Sequence, residues 1–233
     1  MAGSGFLHQY FINNGHRSLH KWFHYFDVYE SHFERFRGLA PVVMEIGVFG
    51  GGSLSMWKSY FGEGAKIIGL DINPDCKKYE GEGIEIFIGS QTDTAVLDSV
   101  LAKYPKIDIL IDDGSHRMDH VNATFDHMYE RISPNGIYFV EDMHTAYWPR
   151  WGGGLELPGT FIENSKKKID DINAVHSKGA RAPSKFTSST KSISFYDSIV
   201  VFERSPQGRR YSIMTHPMAI PESDPHNPSV DKT

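Results

Sequence analysis

Apolar and polar positions along the chain follow two rhythms. Short apolar runs at 42–46, 66–71, 84–89, 107–113 and 137–142 are bounded by glycine, proline or acidic residues. Each has the length of a strand, and unbroken apolarity suits strands covered on both faces. Between them the spacing turns helical. Leu54, Trp57 and Phe61 form a stripe that opens near Ser53, a candidate N-cap, and stops at Gly62 and Gly64. Helices are predicted over 93–103 and 120–132, the second followed by a Pro134-Asn135-Gly136 turn. Upstream, Trp22, Phe23, Phe26, Tyr29, Phe33 and Phe36 recur at steps of three and four, predicting one aromatic-faced helix over 19–36.

Strand and helix alternating with short links argue for an α/β fold, a mostly parallel sheet with helices on both faces. Past Trp148 the rhythm breaks. The glycine- and proline-rich stretch WPRWGGGLELPGTF reads as a mobile loop, and a polar helix over 163–176 follows. Strands over 192–204 and 209–215, joined by a Ser205-Pro206-Gln207-Gly208 turn, are predicted to close the sheet with an antiparallel hairpin edge. The organisation expected is an aromatic cap-helix region over 1–38, a main domain over 39–216 and a Pro-, Ser- and Asp-rich disordered tail over 217–233.

A length of 233 residues supports one sizeable core. The net charge is −5 and the basic residues are scattered, which leaves nucleic acid nothing to grip. The densest basic run, Lys166-Lys167-Lys168, is followed by Asp170 and Asp171 and reads as a solvated helix face. The single cysteine, Cys76, excludes an internal disulfide and suits a reducing, cytoplasmic setting. No secretory apolar segment opens the chain, MAGSG reads as a flexible leader, and no run is long enough to span a bilayer.

Candidate chemistry gathers at predicted strand ends, where open α/β sheets bind ligands. Gly47, Gly50, Gly51 and Gly52 make a turn that lets backbone approach a ligand, and Asp71 follows about twenty residues on, where an acid can take ribose hydroxyls. The spacing is not G-x-G-x-x-G, and Glu45 stands two residues before the first glycine. A carboxylate there repels a pyrophosphate and suits a cationic ligand, which favours S-adenosylmethionine over NAD. Ser90 and Gln91 would read an adenine edge, or else Thr92 or Asp93 simply caps the next helix.

The fourth strand ends in Asp112-Asp113 and the fifth in Glu141-Asp142. Four carboxylates on one rim need positive charge, which a divalent cation supplies; hard oxygen ligands favour Mg²⁺, Mn²⁺ or Ca²⁺. The competing reading is that these acids only cap the helices that follow. His116, three residues beyond Asp113, is placed to act as a general base, since an imidazole titrates near pH ~6.5. His120, His127 and His144 default to structural roles, with His120 on the face of His116 if the helix has begun.

At these residues the chain resembles a known group. EIGVFGGGSLSMW, GLDINP, GSQTD, IDDGSH and VEDMHTAYW are similar to motifs of the metal-dependent macrolide sugar O-methyltransferases of macrocin and mycinamicin type, which share a core with the cephalosporin hydroxylase family. The resemblance covers about residues 19–204. It implies a Rossmann-like class I methyltransferase fold using S-adenosylmethionine and Mg²⁺ (or Mn²⁺). It makes Asp113, Glu141 and Asp142 the metal ligands, and His116, with Asp113, the catalytic set. Glu45, Gly47, Ser53, Asp71, Ser90 and Gln91 would line the cofactor, with Asp112 at its methionine end. His120, His144, Tyr147 and Trp148 would meet the acceptor, under a loop carrying Trp151 and Gly152-Gly153-Gly154. The expected enzyme methylates a sugar hydroxyl of a glycoside or saccharide-bearing metabolite, in natural-product or polysaccharide biosynthesis. Its expected partners are that acceptor and further copies of itself in a homo-oligomer. The alternatives are an NAD(P)-dependent oxidoreductase and a non-catalytic S-adenosylmethionine-binding module that assists a partner.

Overall fold

The computed structural model describes residues 5–213. Seven strands form one sheet in the order β3-β2-β1-β4-β5-β7-β6. The first five, β1 (Val42–Ile46), β2 (Lys66–Asp71), β3 (Ile84–Ile88), β4 (Ile109–Asp112) and β5 (Ile137–Val140), run parallel, as the apolar runs predict. β6 (Thr190–Tyr196) and β7 (Ile199–Arg204) pair antiparallel, and β7 lies antiparallel against β5. The sheet is the expected Rossmann-like one, with its antiparallel edge.

Strand periodicity splits the core between two faces. Val43, Ile67, Ile109, Ile111 and Phe139 face one cluster, covered by α1 (Phe6–Ile12), α2 (Tyr25–Phe33) and α3 (Gly52–Phe61). Met44, Ile68, Leu110 and Tyr138 face the other, covered by α4 (Thr94–Lys103), α5 (Met118–Met128), α6 (Phe161–Ile172) and α7 (Lys185–Ser189). α4 starts where Asp93 accepts from Ala95 N at 2.9 Å, and α6 where Thr160 accepts from Glu163 N at 3.3 Å.

Three expectations are corrected. The aromatic helix starts at Tyr25, not residue 19, because the segment before it lies across the end of the sheet; Ser18 O accepts from Gly52 N at 3.1 Å and Lys21 is buried. The stretch 192–204 is two strands, β6 and β7, turning at Asp197-Ser198 with Ser198 at φ 65°; residues 205–213 form no strand. Two turn-forming polar residues interrupt the apolar run and outweigh its β propensity. Ser53 is not a cap: α3 begins at Gly52 after Gly51, at φ 71°. The predicted tail over 217–233 lies outside the described residues.

Candidate active site

Strand register assembles the site. Ile46 lies abreast of Leu70 and Asp112, and Asp112 abreast of Val140. The residues that follow, Gly47, Asp71, Asp113 and Glu141, therefore leave the sheet together at its carboxyl end. A cavity of about 540 Å³ opens there, and Gly47, Asp71, Asp113, His116, Glu141 and Asp142 all line it. His20, Lys21, Trp22 and Tyr25, none of them singled out from sequence as site residues, line it too.

Gly47 sits at φ 95°, and a Cβ on it would fall 2.1 Å from Asp113 O. No side chain fits where β1 and β4 part. Two of the other turn glycines, Gly50 and Gly52, lie against the chain itself. A Cβ on Gly50 would meet Ser18 Cβ at 2.5 Å, and one on Gly52 would meet Ser18 O at 2.4 Å. They admit the chain's own N-terminal segment; only Gly47 lines the cavity. Asp71 fixes the turn from below: its Oδ2 accepts from Val48 N at 2.8 Å and Phe49 N at 3.1 Å, and its Oδ1 from Asn73 N at 2.8 Å.

At the inner end of the cavity Lys21 stands among three carboxylates. Its Nζ donates to Asp113 Oδ2 at 2.7 Å, to Glu141 Oε2 at 3.0 Å and to Glu45 Oε1 at 3.1 Å. The Lys21 side chain is 3 % exposed, and the Tyr29 ring lies under the ammonium, 5.9 Å away. Burial alone would lower the lysine; Asp113, then Glu141 and Glu45, outweigh it and hold the ammonium well above its ordinary range. Burial and the like charge of Asp113 push Glu141 up against the pull of Lys21, and burial pushes Glu45 up. One ammonium among three carboxylates leaves the cluster short of positive charge. Glu45 thus has a resident cation, and its remaining oxygen accepts from Ser53 Oγ at 2.6 Å. Both Glu45 and Ser53 lie behind the cavity lining.

The outer end is built by two strained residues. His116 and Asp142 both have φ 56°, a conformation that costs a non-glycine residue about 1–3 kcal/mol and concentrates at functional sites. His116 Nε2 lies 3.7 Å from Asp142 Oδ2 and 3.9 Å from Asp113 Oδ1. Ligating atoms of Asp113, His116 and Asp142 all fall within 4.8 Å of one another. Tyr25 holds Asp142 in place, its hydroxyl donating to Oδ1 at 2.7 Å. Tyr25 and Lys21 were illegible as site residues, since a lysine in an aromatic helical stripe reads as solvated. The one available signal was the charge deficit of the acidic rim.

The remaining candidates lie elsewhere. Ser90 Oγ pairs with Thr92 Oγ1 at 2.9 Å, a local turn. Gln91 is committed at both ends: its amide nitrogen donates to Asp112 at 3.1 Å and Thr124 at 3.0 Å, and its oxygen accepts from Ser115 N at 2.7 Å. Asp93 caps α4, as the capping alternative has it. Asp112 is buried, which pushes its carboxyl up to about 7. None of these lines the cavity. His120 pairs with Ser115 Oγ at 2.9 Å and His127 with Asp98 at 2.8 Å. His144 and Tyr147 line a second groove of about 450 Å³. The His144 ring lies 5.6 Å from Trp22 and 4.7 Å from Trp148, so an aromatic row leads away from the cavity mouth.

No family model matches the chain. Mycinamicin VI 2''-O-methyltransferase of Micromonospora griseorubida is 42% identical over 154 residues, 62% of this chain and 38% of that protein. The 8-demethyl-8-alpha-L-rhamnosyl tetracenomycin-C 2'-O-methyltransferase of Streptomyces olivaceus is 35% identical over 190 residues, 77% of this chain and 50% of that one. The chain thus spans half or less of the length of these relatives. Among solved structures, the MycE methyltransferase from the mycinamycin biosynthetic pathway, in complex with Mg, SAH and mycinamycin VI, superposes with a TM-score of 0.73 at 33% identity. That match covers 86% of this chain and 53% of the other.

Proposed function

From its class I methyltransferase fold and its homology with macrolide and tetracenomycin sugar O-methyltransferases, we propose that the chain methylates a sugar hydroxyl of a saccharide-bearing acceptor, using S-adenosylmethionine and Mg²⁺ or Mn²⁺. The observation that carries the reading is the meeting of Asp113, His116 and Asp142 at the mouth of a cavity whose other wall is Gly47 and Asp71.

The residues fit both groups. A cavity of about 540 Å³ suits a cofactor-sized ligand. Gly47 offers a wall without a side chain, and Asp71 Oδ1, which accepts a single N–H, keeps a lone pair for a ribose hydroxyl. Asp113 and Asp142, with Glu141 beside them, offer hard oxygens in a cluster short of positive charge. When bound, S-adenosylmethionine supplies an electrophilic methyl group and the metal a Lewis acid for the acceptor hydroxyl.

The chain's own part is positioning and proton transfer. Asp142, held by Tyr25, and Asp113, held by Lys21, fix the two sides of His116. His116 takes the acceptor proton at Nε2, the nitrogen that faces both carboxylates. The sheet end holds acceptor and cofactor in one cavity, which replaces a bimolecular encounter by a near-attack arrangement. Trp22, His144 and Trp148 offer aromatic faces to the rest of the acceptor, with Tyr147 beyond them. The reading includes a homo-oligomer in the cytoplasm, which light scattering and fractionation check. Among the described residues no helix is long and apolar enough to cross a membrane.

The test is an acceptor screen with methyl-labelled S-adenosylmethionine. Label is expected in glycosides with free sugar hydroxyls, lost in EDTA and restored by Mg²⁺. Transfer that persists in EDTA and ignores added Mg²⁺ removes the metal from the reading. Calorimetry that finds NADH bound and S-adenosylhomocysteine not bound replaces the methyltransferase by an oxidoreductase.

A further inference from the structure

Asp113 belongs to two constellations at once. With His116 and Asp142 it forms the outer group, and with Glu45 and Glu141 the inner one; ligating atoms in each lie within 4.8 Å of one another. The Lys21 ammonium holds the inner group, touching Asp113 Oδ2 at 2.7 Å and both Glu141 oxygens at 3.0 and 3.1 Å.

We propose that Lys21 is a competing cation built into the metal site, whose ammonium holds oxygens of Asp113 and Glu141 that a divalent metal also needs and so sets how tightly metal is bound. The inference rests on the metal reading above. A metal in the outer group takes Asp113, and one that also takes Glu141, as the proposed ligand set requires, takes a second carboxylate of Lys21; it must displace the ammonium from these carboxylates or share them with it at close range. Both routes weaken the metal, because two positive charges a few ångströms apart in a buried cluster repel strongly.

The segment that carries the ammonium is tied in place. Ser18 O is held by Gly52 N at 3.1 Å and Arg17 Nη1 donates to Tyr79 O at 2.9 Å, so the segment carrying Lys21 is tied to the glycine turn and to Tyr79. The Lys21 backbone is therefore anchored beside the cofactor cavity while its side chain reaches into the metal cluster. The role is positional: Lys21 acts on the metal through the carboxylates.

A buried lysine that only supports the fold predicts that its loss leaves metal binding unchanged or weakens it. Competition predicts the opposite sign. Mn²⁺ affinity is measured by calorimetry on the wild-type chain, Lys21→Met and Lys21→Arg. Lys21→Met is expected to bind Mn²⁺ at least about tenfold tighter than wild type. Lys21→Arg, which keeps the charge, stays within about threefold of wild type. Thermal melts follow the same order, with Mn²⁺ raising the Tm of Lys21→Met further than that of wild type. If Lys21→Met does not fold alone, folding restored by Mn²⁺ and followed by circular dichroism is the same result. A Lys21→Met chain that stays unfolded in saturating Mn²⁺, or that binds it no tighter than wild type, overturns the competition and leaves the metal reading standing. Absence of Mn²⁺ binding in all three proteins overturns both.

Discussion

His116 and Asp142 face each other in left-handed backbone conformations, and both are polar residues of the kind that tolerate them. Nε2 of His116 lies between two carboxylates, 3.7 Å from Asp142 Oδ2 and 3.9 Å from Asp113 Oδ1. Its loss is therefore expected to remove proton transfer and little else. His116→Ala should lower kcat about 10²- to 10⁴-fold while binding of S-adenosylhomocysteine, measured by calorimetry, stays near wild type. A variant that keeps full turnover shows that another group takes the proton. At this scale half the site was legible. Gly47, Asp71, Asp113, His116, Glu141 and Asp142 each sit within a few residues of a strand end, and strand ends show in the apolar pattern. Lys21 and Tyr25 were not, because their partners lie 92 and 117 residues away and no local pattern encodes such a meeting.

Between elements, α2 is fastened to the β6-β7 edge by a second buried polar group. His32 Nδ1 lies 2.8 Å from Glu203 Oε1, and His32 Nε2 lies 2.9 Å from Tyr196 OH. The hydrogen bond from His32, helped by Arg35, pulls the Glu203 carboxyl down to about 2. A carboxylate that ionises more readily folded than unfolded stabilises the fold above its ordinary range. That contribution is lost as pH falls from about 4.5 towards about 2. Allowing for solvent screening it amounts to about 1–2 kcal/mol. Glu203→Gln should therefore lower the urea midpoint at pH 6 and lower it by only a small part of that amount at pH 2.5, where most of the contribution is gone. An equal loss at both pH values points to packing instead. Neither end of this link was visible in advance. Residues 192–204 read as one strand, which hid the turn at Asp197-Ser198 that puts Tyr196 and Glu203 on neighbouring strands, abreast of Ile199 and Ser192, with both side chains reaching His32. The parallel strands were legible because each is bounded by glycine, proline or acid, while the hairpin turn is only two polar residues in an apolar run.

For the whole molecule the question is whether residues up to 38 form a cap on a self-sufficient domain or part of its core. The two clusters on the sheet faces differ in what covers them. The α5-α6 side is closed by elements within 39–216, whereas the α3 side is closed largely by α2. Tyr25, Phe26, Tyr29 and Phe33 are each at most 1 % exposed. The ring of Tyr29 lies 5.1 Å from Trp57 on α3 and 5.2 Å from Phe139 on β5. Burying four such side chains contributes about 1.5–3 kcal/mol each, or about 6–12 kcal/mol together. That is comparable to the whole net stability of a domain, about 5–15 kcal/mol. We therefore propose that the aromatic region is a cap in position and core in energetics. A chain beginning at residue 39 should bind the dye ANS and melt without a cooperative transition. A chain beginning at residue 23 keeps α2 and loses Lys21 with the segment seated on Gly50 and Gly52. It should fold cooperatively and bind S-adenosylhomocysteine weakly. If the chain from residue 39 unfolds cooperatively in urea with a native-like slope, the four rings are not needed to close the core, and the boundary at 38 divides two independent units.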